Sequence, residues 1–435
     1  MEEEHRKSVE DLSPNSEYEG SIRTVLNLSL VTFLVLLGLS LVAPILPTYA
    51  ESFQVSYTMV GFVVSSFAAA RMLIDMPAGL LSRRYNKKMI MIGGLILLST
   101  SSILAGFAPS YIILVIARII EGAGSALYVT TATVFLAQIS GEEKRGQWMS
   151  LYLGMLLLGS IFGPTFGGVL ADTFDIRMPF FAYALLTGLG IIPTLILPNL
   201  NSNQTEPPSL HLNEIYGDMR QVLSSPSFLS VTFAMFTLFF LRTGIRSTLV
   251  PLFADKNLGL SSGDIGLVLT FGAIATAFTI TPIGKISDRI GRKLPLALCL
   301  VLSAFGTVLI SASVDMFSLS ITLVIYGAFI GLSGPSAAYI TDLSPPDKLE
   351  ISMGVYRMIS DGGFFVGPLL LGFVADLTAI PVAGETSGLI SIYPFLATAI
   401  ILLLALLVIR GARDPAKERS KNNHKVPDIE KPAFE

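Results

Sequence analysis

The sequence predicts an all-α membrane protein built of two six-helix bundles, and three features carry that prediction. They are long apolar segments, scarce charge and an internal repeat. Of 435 residues, 52% are apolar and 14% charged, with a mean hydropathy of +0.67. A soluble domain carries about 25% charged residues. The net charge of −3 offers no basic field for a phosphate backbone, so no nucleic-acid partner is expected. Cys299 stands alone, which excludes a disulfide framework and a cysteine-held metal cluster. His5, His211 and His424 all fall in polar segments. Neither a metal set nor a nucleophile–base pair is legible, so no cofactor and no enzymatic activity are expected.

A bilayer-crossing helix needs about 20 apolar residues. Such runs occur at 24–50, 56–81, 88–107, 110–139, 147–171, 179–198, 227–254, 263–284, 293–313, 317–342, 353–376 and 389–410, here numbered spans 1 to 12. No period-2 alternation runs through them, which argues against a membrane β-barrel. The acidic leader 1–23 is unlike a secretory signal, and Pro44 and Pro47 interrupt the run that follows, so no cleavage is expected. The polar segment 199–226, with an amphipathic stretch at Glu214–Val222, separates a bundle at 24–198 from one at 227–410, and 411–435 forms a polar tail.

Lysine and arginine orient the spans. With both termini on one side, that side receives 22 of the 29 basic residues, while the opposite side receives only Arg177 and Lys256. Both termini are therefore expected in the cytoplasm, as is the sequon at Asn203, which would stay unglycosylated. Trp148, the only tryptophan, is expected as an interfacial anchor.

The halves repeat at an offset of 204. Pro47-Thr48-Tyr49-Ala50 matches Pro251-Leu252-Phe253-Ala254, and Met149-Ser150-Leu151-Tyr152 matches Met353-Gly354-Val355-Tyr356. Gly163-Pro164, Gly168 and Ala171-Asp172 match Gly367-Pro368, Gly372 and Ala375-Asp376. A parallel six-plus-six repeat is a known transporter plan, with a site near the midplane between the halves.

The loop between spans 8 and 9 carries Gly284, Asp288, Arg289, Gly291 and Arg292. It resembles the signature loop of the major facilitator superfamily. Asp288 could there meet a helix N-terminus or an arginine of the other half. The equivalent loop between spans 2 and 3 is degraded: Gly79, Arg83 and Arg84 remain, but Arg83 replaces the expected aspartate and Asn86 a glycine. Asn tolerates a left-handed turn, so the bend is expected to survive. Span 5 carries Gly154, Gly159, Gly163, Pro164, Gly167 and Gly168, similar to the motif of the superfamily's drug:proton antiporter branch. Three of these glycines recur every four residues, making a groove for a close neighbouring helix. Arg118 and Gly122 in span 4 resemble a third superfamily motif, with Glu121 where the family usually has a neutral residue. The resemblance implies the major facilitator fold, with spans 1, 4, 7 and 10 lining a cavity.

Eight charges fall within spans: Arg71, Asp75, Arg118, Glu121, Arg242, Arg246, Arg357 and Asp361. Each costs about 2.5–3.5 kcal/mol at the bilayer centre, so partners are expected. Arg71–Asp75 and Arg357–Asp361 sit at equal depth with opposite sign order. In the superfamily spans 2 and 11 meet at the cytoplasmic side, so a latch of Asp75–Arg357 and Arg71–Asp361 is expected in the outward-open state; the alternative is pairing within each helix. Glu121 is the acid best placed to exchange a proton with the cavity, against a permanent ion pair with Arg118. Arg242 and Arg246, on one face of span 7, could hold an anionic group, against Arg242 neutralising Glu121 and Arg246 snorkelling outward. Tyr128, Thr131, Thr248, Thr270, Tyr326, Ser333 and Tyr339 are lesser cavity candidates.

The functional expectation is an alternating-access secondary transporter in the cell membrane, exporting small amphipathic molecules in exchange for protons. The bilayer, protons and a small-molecule substrate would be its partners, and one chain would suffice. An exporter of an organic anion, sugar or lipid-like amphiphile is the alternative. A facilitator-fold receptor or assembly factor that transports nothing is the alternative of another class.

Overall fold

A computed structural model of the protein describes residues 22–140, 145–199, 212–383 and 387–418. Asn203, the three histidines and most of both tails lie outside those residues. Among the described residues there is no strand; Ile380 and Leu389 form an isolated antiparallel bridge. Eleven helices are long and apolar enough to cross a membrane, and the shorter Tyr393–Ile409 stands in the place of span 12. Span 12 starts later than expected because Ile380 exchanges two backbone hydrogen bonds with Leu389, which holds that stretch extended. Large apolar side chains such as Phe278, Leu185 and Leu73 stay exposed, which suits contact with lipid.

Proline shapes the repeated spans differently. Span 1 divides into Ile22–Val42 and Leu46–Glu51 around Pro44, with Pro47 at the start of the second piece. Pro251, the repeat mate of Pro47, follows a π-helical stretch, Arg242–Leu249, inside span 7. A proline in a helix removes an amide and crowds the carbonyl four residues back. Span 7 accommodates it by widening the preceding turns, whereas span 1 turns and restarts. Span 10 is likewise interrupted before Pro335, between Met316–Gly331 and Ser336–Leu343.

Glycine sets the close approaches in span 5, Arg145–Thr173. A Cβ at Gly159 would meet Leu37 N and Phe33 O at 2.8 Å, and one at Gly167 would meet Leu41 O at 1.9 Å. The expected groove therefore receives span 1. Gly154, by contrast, has nothing within 4 Å. The same packing recurs 204 residues on, where Gly363 and Gly367 of span 11 lie on the backbone of Phe236 and Phe240 in span 7.

The signature loops also differ from one another. Gly291 ends span 8 at φ +94°, a conformation that favours glycine. Asn86 does not take the left-handed turn expected of it. Its φ is −60°, and its side chain caps span 3 by accepting from Lys88 N at 3.0 Å. Trp148 is buried at 6% exposure, packed against the core.

Candidate functional site

We call the end carrying Arg84, Lys88 and Lys293 the basic end. At the other, far end, the halves are clasped. Asp172, at the end of span 5, accepts from Gly263 N at 2.8 Å, at the start of span 8. Asp376, 204 residues later at the end of span 11, accepts from Tyr57 N at 2.7 Å and Thr58 N at 2.8 Å, at the start of span 2. Thr58 Oγ1 adds a third bond at 2.5 Å. Each carboxylate thus caps a helix N-terminus of the other half, where aligned peptide dipoles favour negative charge.

Backbones touch beneath these caps. A Cβ at Gly168 would meet Ser262 O at 2.2 Å, and one at Gly372 would meet Tyr57 O at 2.3 Å. Gly266 lies on Pro164 O and Gly61 on Pro368 O. Between spans 5 and 8, Thr165 Oγ1 donates to Thr270 Oγ1 at 2.8 Å. Lys256 Nζ reaches Glu51 at 3.0 Å, joining the far ends of spans 7 and 1. The Tyr57 hydroxyl meets the carbonyls of Ser387 and Gly388.

The basic end differs. Arg71 pairs with Asp75 at 3.6 Å and Arg357 with Asp361 at 3.4 Å, each within its own helix. Asp75 also accepts from Thr130 Oγ1 of span 4 at 2.7 Å. Arg357 is 64% exposed, so the cross-half latch is not formed in this state. Asp361 nevertheless lies within electrostatic range of both Arg71 and Asp75. In the loop between spans 8 and 9, Arg292 reaches Asp342 at 2.8 Å and Asp288 at 3.5 Å, both in its own half. Asp288 is 66% exposed. The N-terminus of span 9 is capped instead by Asp414, which accepts from Arg292 N at 3.2 Å and Lys293 N at 3.0 Å. Lys348 joins Asp218 of the helix Leu212–Leu223 at 2.9 Å.

Between the ends, the two halves treat charge differently. In span 4, Arg118 Nη1 donates to Glu121 Oε2 at 2.5 Å, and the guanidinium lies 4.7 Å from the centre of the Phe67 ring. Glu121 is fully buried and Arg118 is 4% exposed. Among the described residues, Glu121 Oε1 and Arg118 Nε have no hydrogen-bond partner. In span 7, Arg242, which is exposed, and Arg246, which is half-buried, line a cleft with Leu269, Thr276, Leu323 and Tyr326 of spans 8 and 10. Arg246 donates to Leu269 O at 3.4 Å. The structure does not bring Arg242 to Glu121, because each lies inside its own half.

The lesser candidates divide likewise. Tyr326 lines the cleft and Thr270 sits in the clasp. Tyr128 bonds Thr32 at 3.0 Å inside the first half. Tyr339 ties span 10 to Arg413 O at 2.5 Å. Thr248 bonds the backbone of its own helix, and Ser333, in the break of span 10, donates to Ile330 O. Thr131 is buried without a partner among the described residues.

A six-plus-six bundle of apolar helices, clasped at one end across a pseudo-two-fold axis, is the architecture of a multi-pass membrane transporter. The sequence model of the Major Facilitator Superfamily matches residues 28–256 and again 231–435, and the chain belongs to that superfamily. It is 24% identical over 384 residues to multidrug resistance protein 2 of Bacillus subtilis (strain 168), covering 86% of this chain and 91% of the relative. With the quinolone resistance protein NorA of Staphylococcus aureus (strain MRSA252) it shares 26% identity over 352 residues, 79% of this chain and 88% of NorA. Among solved structures, a bacterial homologue of the human lysosomal transporter Spinster, in an inward-facing and unoccupied conformation, superposes with a TM-score of 0.75 at 17% identity. That match covers 90% of this chain and 98% of the other, and speaks to the fold. The protein is a multi-pass cell-membrane transporter of this superfamily.

Proposed function

We propose that the protein works by alternating access and exports small amphipathic molecules in exchange for protons, as one self-sufficient chain. The observation that carries this reading is the asymmetry between its ends. The halves are joined through backbone-level contacts at the far end, while at the basic end the charged dyads of spans 2 and 11 each pair within their own helix. The distribution of lysine and arginine assigns the basic end to the cytoplasm. On this reading the protein is described in a state closed outside and open inside. In the opposite state the Asp172 and Asp376 caps release, and Asp75–Arg357 and Arg71–Asp361 close the cytoplasmic side. The multidrug and quinolone resistance relatives support the efflux direction.

Glu121 is assigned the coupled proton. It is an acid at mid-depth of the first half, fully buried, and one of its oxygens has no partner among the described residues. Protonation would cancel its half of the pair and free the Arg118 guanidinium, giving the N-terminal bundle two electrostatic states. Reconstitution into liposomes with an interior pH dye, challenged with cationic, zwitterionic and anionic fluorescent amphiphiles, tests the proposal. The expected result is uphill movement of at least one of them, abolished by a protonophore. Glu121→Gln should retain downhill movement and lose the response to the pH gradient. Uphill, pH-driven transport by that variant would remove Glu121 from the mechanism.

A further inference from the structure

We infer that the cleft of the second half is a binding site for an anionic headgroup, so that the substrates this chain carries best are negatively charged amphiphiles. The inference rests on the transporter reading above and names its substrate class.

Arg242 and Arg246 are one turn apart on the π-helical stretch of span 7 and face the same cleft. Neither forms an ion pair with a carboxylate among the described residues. Every other arginine discussed inside a span has one: Arg118 with Glu121, Arg71 with Asp75 and Arg357 with Asp361. An arginine within a bilayer is expected to face a cavity or a partner, because lipid offers its charge nothing. Here two line one cleft, where their like charges repel. An anion placed between them relieves that repulsion and fills donors that protein atoms leave open. A guanidinium has five such donors in a fixed fork that suits carboxylate, sulfonate or phosphate oxygens. The one bond described, Arg246 to Leu269 O at 3.4 Å, is long and uses one donor.

The remaining walls fit the other part of an amphiphile. Leu269, Leu323 and Ile330 give an apolar face, and Tyr326 a ring with a polar tip. Gly272 and Gly327 bring spans 8 and 10 into backbone contact, since a Cβ on Gly327 would meet Gly272 O at 2.1 Å. The Thr276 hydroxyl locks that crossing by donating to Gly272 O and Gly327 O, both at 2.9 Å. The cleft is thus a built feature with a cationic wall and an apolar wall. The intramembrane arginine of span 4 in the first half, Arg118, is already neutralised by Glu121, so a negative headgroup is drawn to the second half.

Fluorescein, anionic, and ethidium, cationic, serve as probes with the intact protein in proteoliposomes. Fluorescein should be moved, and Arg242→Gln with Arg246→Gln should weaken its apparent affinity by about tenfold or more, the scale of lost charge-assisted bonds. The pair Arg242→Lys and Arg246→Lys keeps the charge and loses the fork, so it should fall between. Thermal unfolding of each purified variant monitors folding, and fluorescein should raise the wild-type midpoint but not that of the double glutamine variant. Movement of ethidium without fluorescein, or fluorescein transport indifferent to both arginines, overturns the anion site and leaves the exporter standing. Movement of neither probe, with the zwitterionic amphiphile also immobile, overturns both.

Discussion

The far end and the basic end are built from the same repeated helices, yet one is joined and the other divided. At the far end, carboxylates 204 residues apart each cap a helix of the opposite half. At the basic end, the dyads of spans 2 and 11 satisfy themselves within their own helices. The difference lies in the kind of partner. A helix N-terminus offers fixed amides that only an approaching chain can satisfy, whereas an i,i+4 pair is always within reach of itself. The far-end clasp is therefore specific to one arrangement of the halves, and the basic-end charges can serve two.

The largest effects should come from the glycines beneath the clasp. Gly167→Ala drives a Cβ into Leu41 O inside the first half, while Gly168→Ala drives one into Ser262 O across the halves. Overpacking of this kind costs about 1–3 kcal/mol, and more against backbone. Gly167→Ala should lower the unfolding midpoint and the membrane yield. Gly168→Ala should leave the first half folded but hold the far end open, read as longer distances between spin labels on the two halves. If both variants lose only stability, the contrast between fold contact and gate contact is wrong.

Asp172→Ala with Asp376→Ala comes next. Each charge-assisted cap is worth about 2 kcal/mol, so each loss should shift the equilibrium roughly thirtyfold away from the far-end-closed state. Cysteines introduced at the far end should then react faster with a membrane-impermeant reagent, Cys299 being buried. Unchanged reactivity would show that backbone packing alone holds the closure. At the basic end, Asp75→Arg should impair transport and Arg357→Asp restore it in the double variant. The smaller effect expected follows from exposure: Arg357 is 64% exposed, and exposed pairs contribute about 0.2–1 kcal/mol. Absence of rescue removes the latch.

Much of this architecture was legible in the sequence. Apolar length located the spans, because a bilayer leaves few alternatives to a helix. The four-residue spacing of Gly159, Gly163 and Gly167 announced the groove that span 1 fills. The gates were less legible. Asp172 and Asp376 stood in the sequence as marks of the repeat, and their shared position four residues after Gly168 and Gly372 was the signal available. Their role depends on which helix N-terminus the fold brings opposite, and no local pattern encodes that. Asp414 was hidden for the same reason, since its partners Arg292 and Lys293 lie more than a hundred residues away. For the intramembrane charges, spacing along the chain gave the local pairing and the family resemblance implied the distant one, and the local one holds in this state. The π-helical stretch could have been suspected from Pro251, but not which residues it would turn into the cleft.

Asp315 provides the smallest test and the control for the comparison. It too is an aspartate at a helix N-terminus, accepting from Ser318 N at 2.8 Å and Ser318 Oγ at 2.6 Å, but it caps its own helix at the start of span 10. These bonds hold its carboxyl below the usual aspartate range. A carboxylate with a depressed native pKa stabilises the fold above the unfolded value of about 3.9, and loses that contribution as pH falls through the native value. Asp315→Ala should therefore lower the unfolding midpoint slightly at neutral pH, with the gap from wild type closing in acid below about pH 4. Because its partner lies in the same half, far-end distances and cysteine reactivity should stay as in the wild type. A shift of those readouts by Asp315→Ala as large as that from Asp172→Ala would mean that any lost cap loosens the far end. The distinction between caps within a half and caps across the halves would then have no functional content.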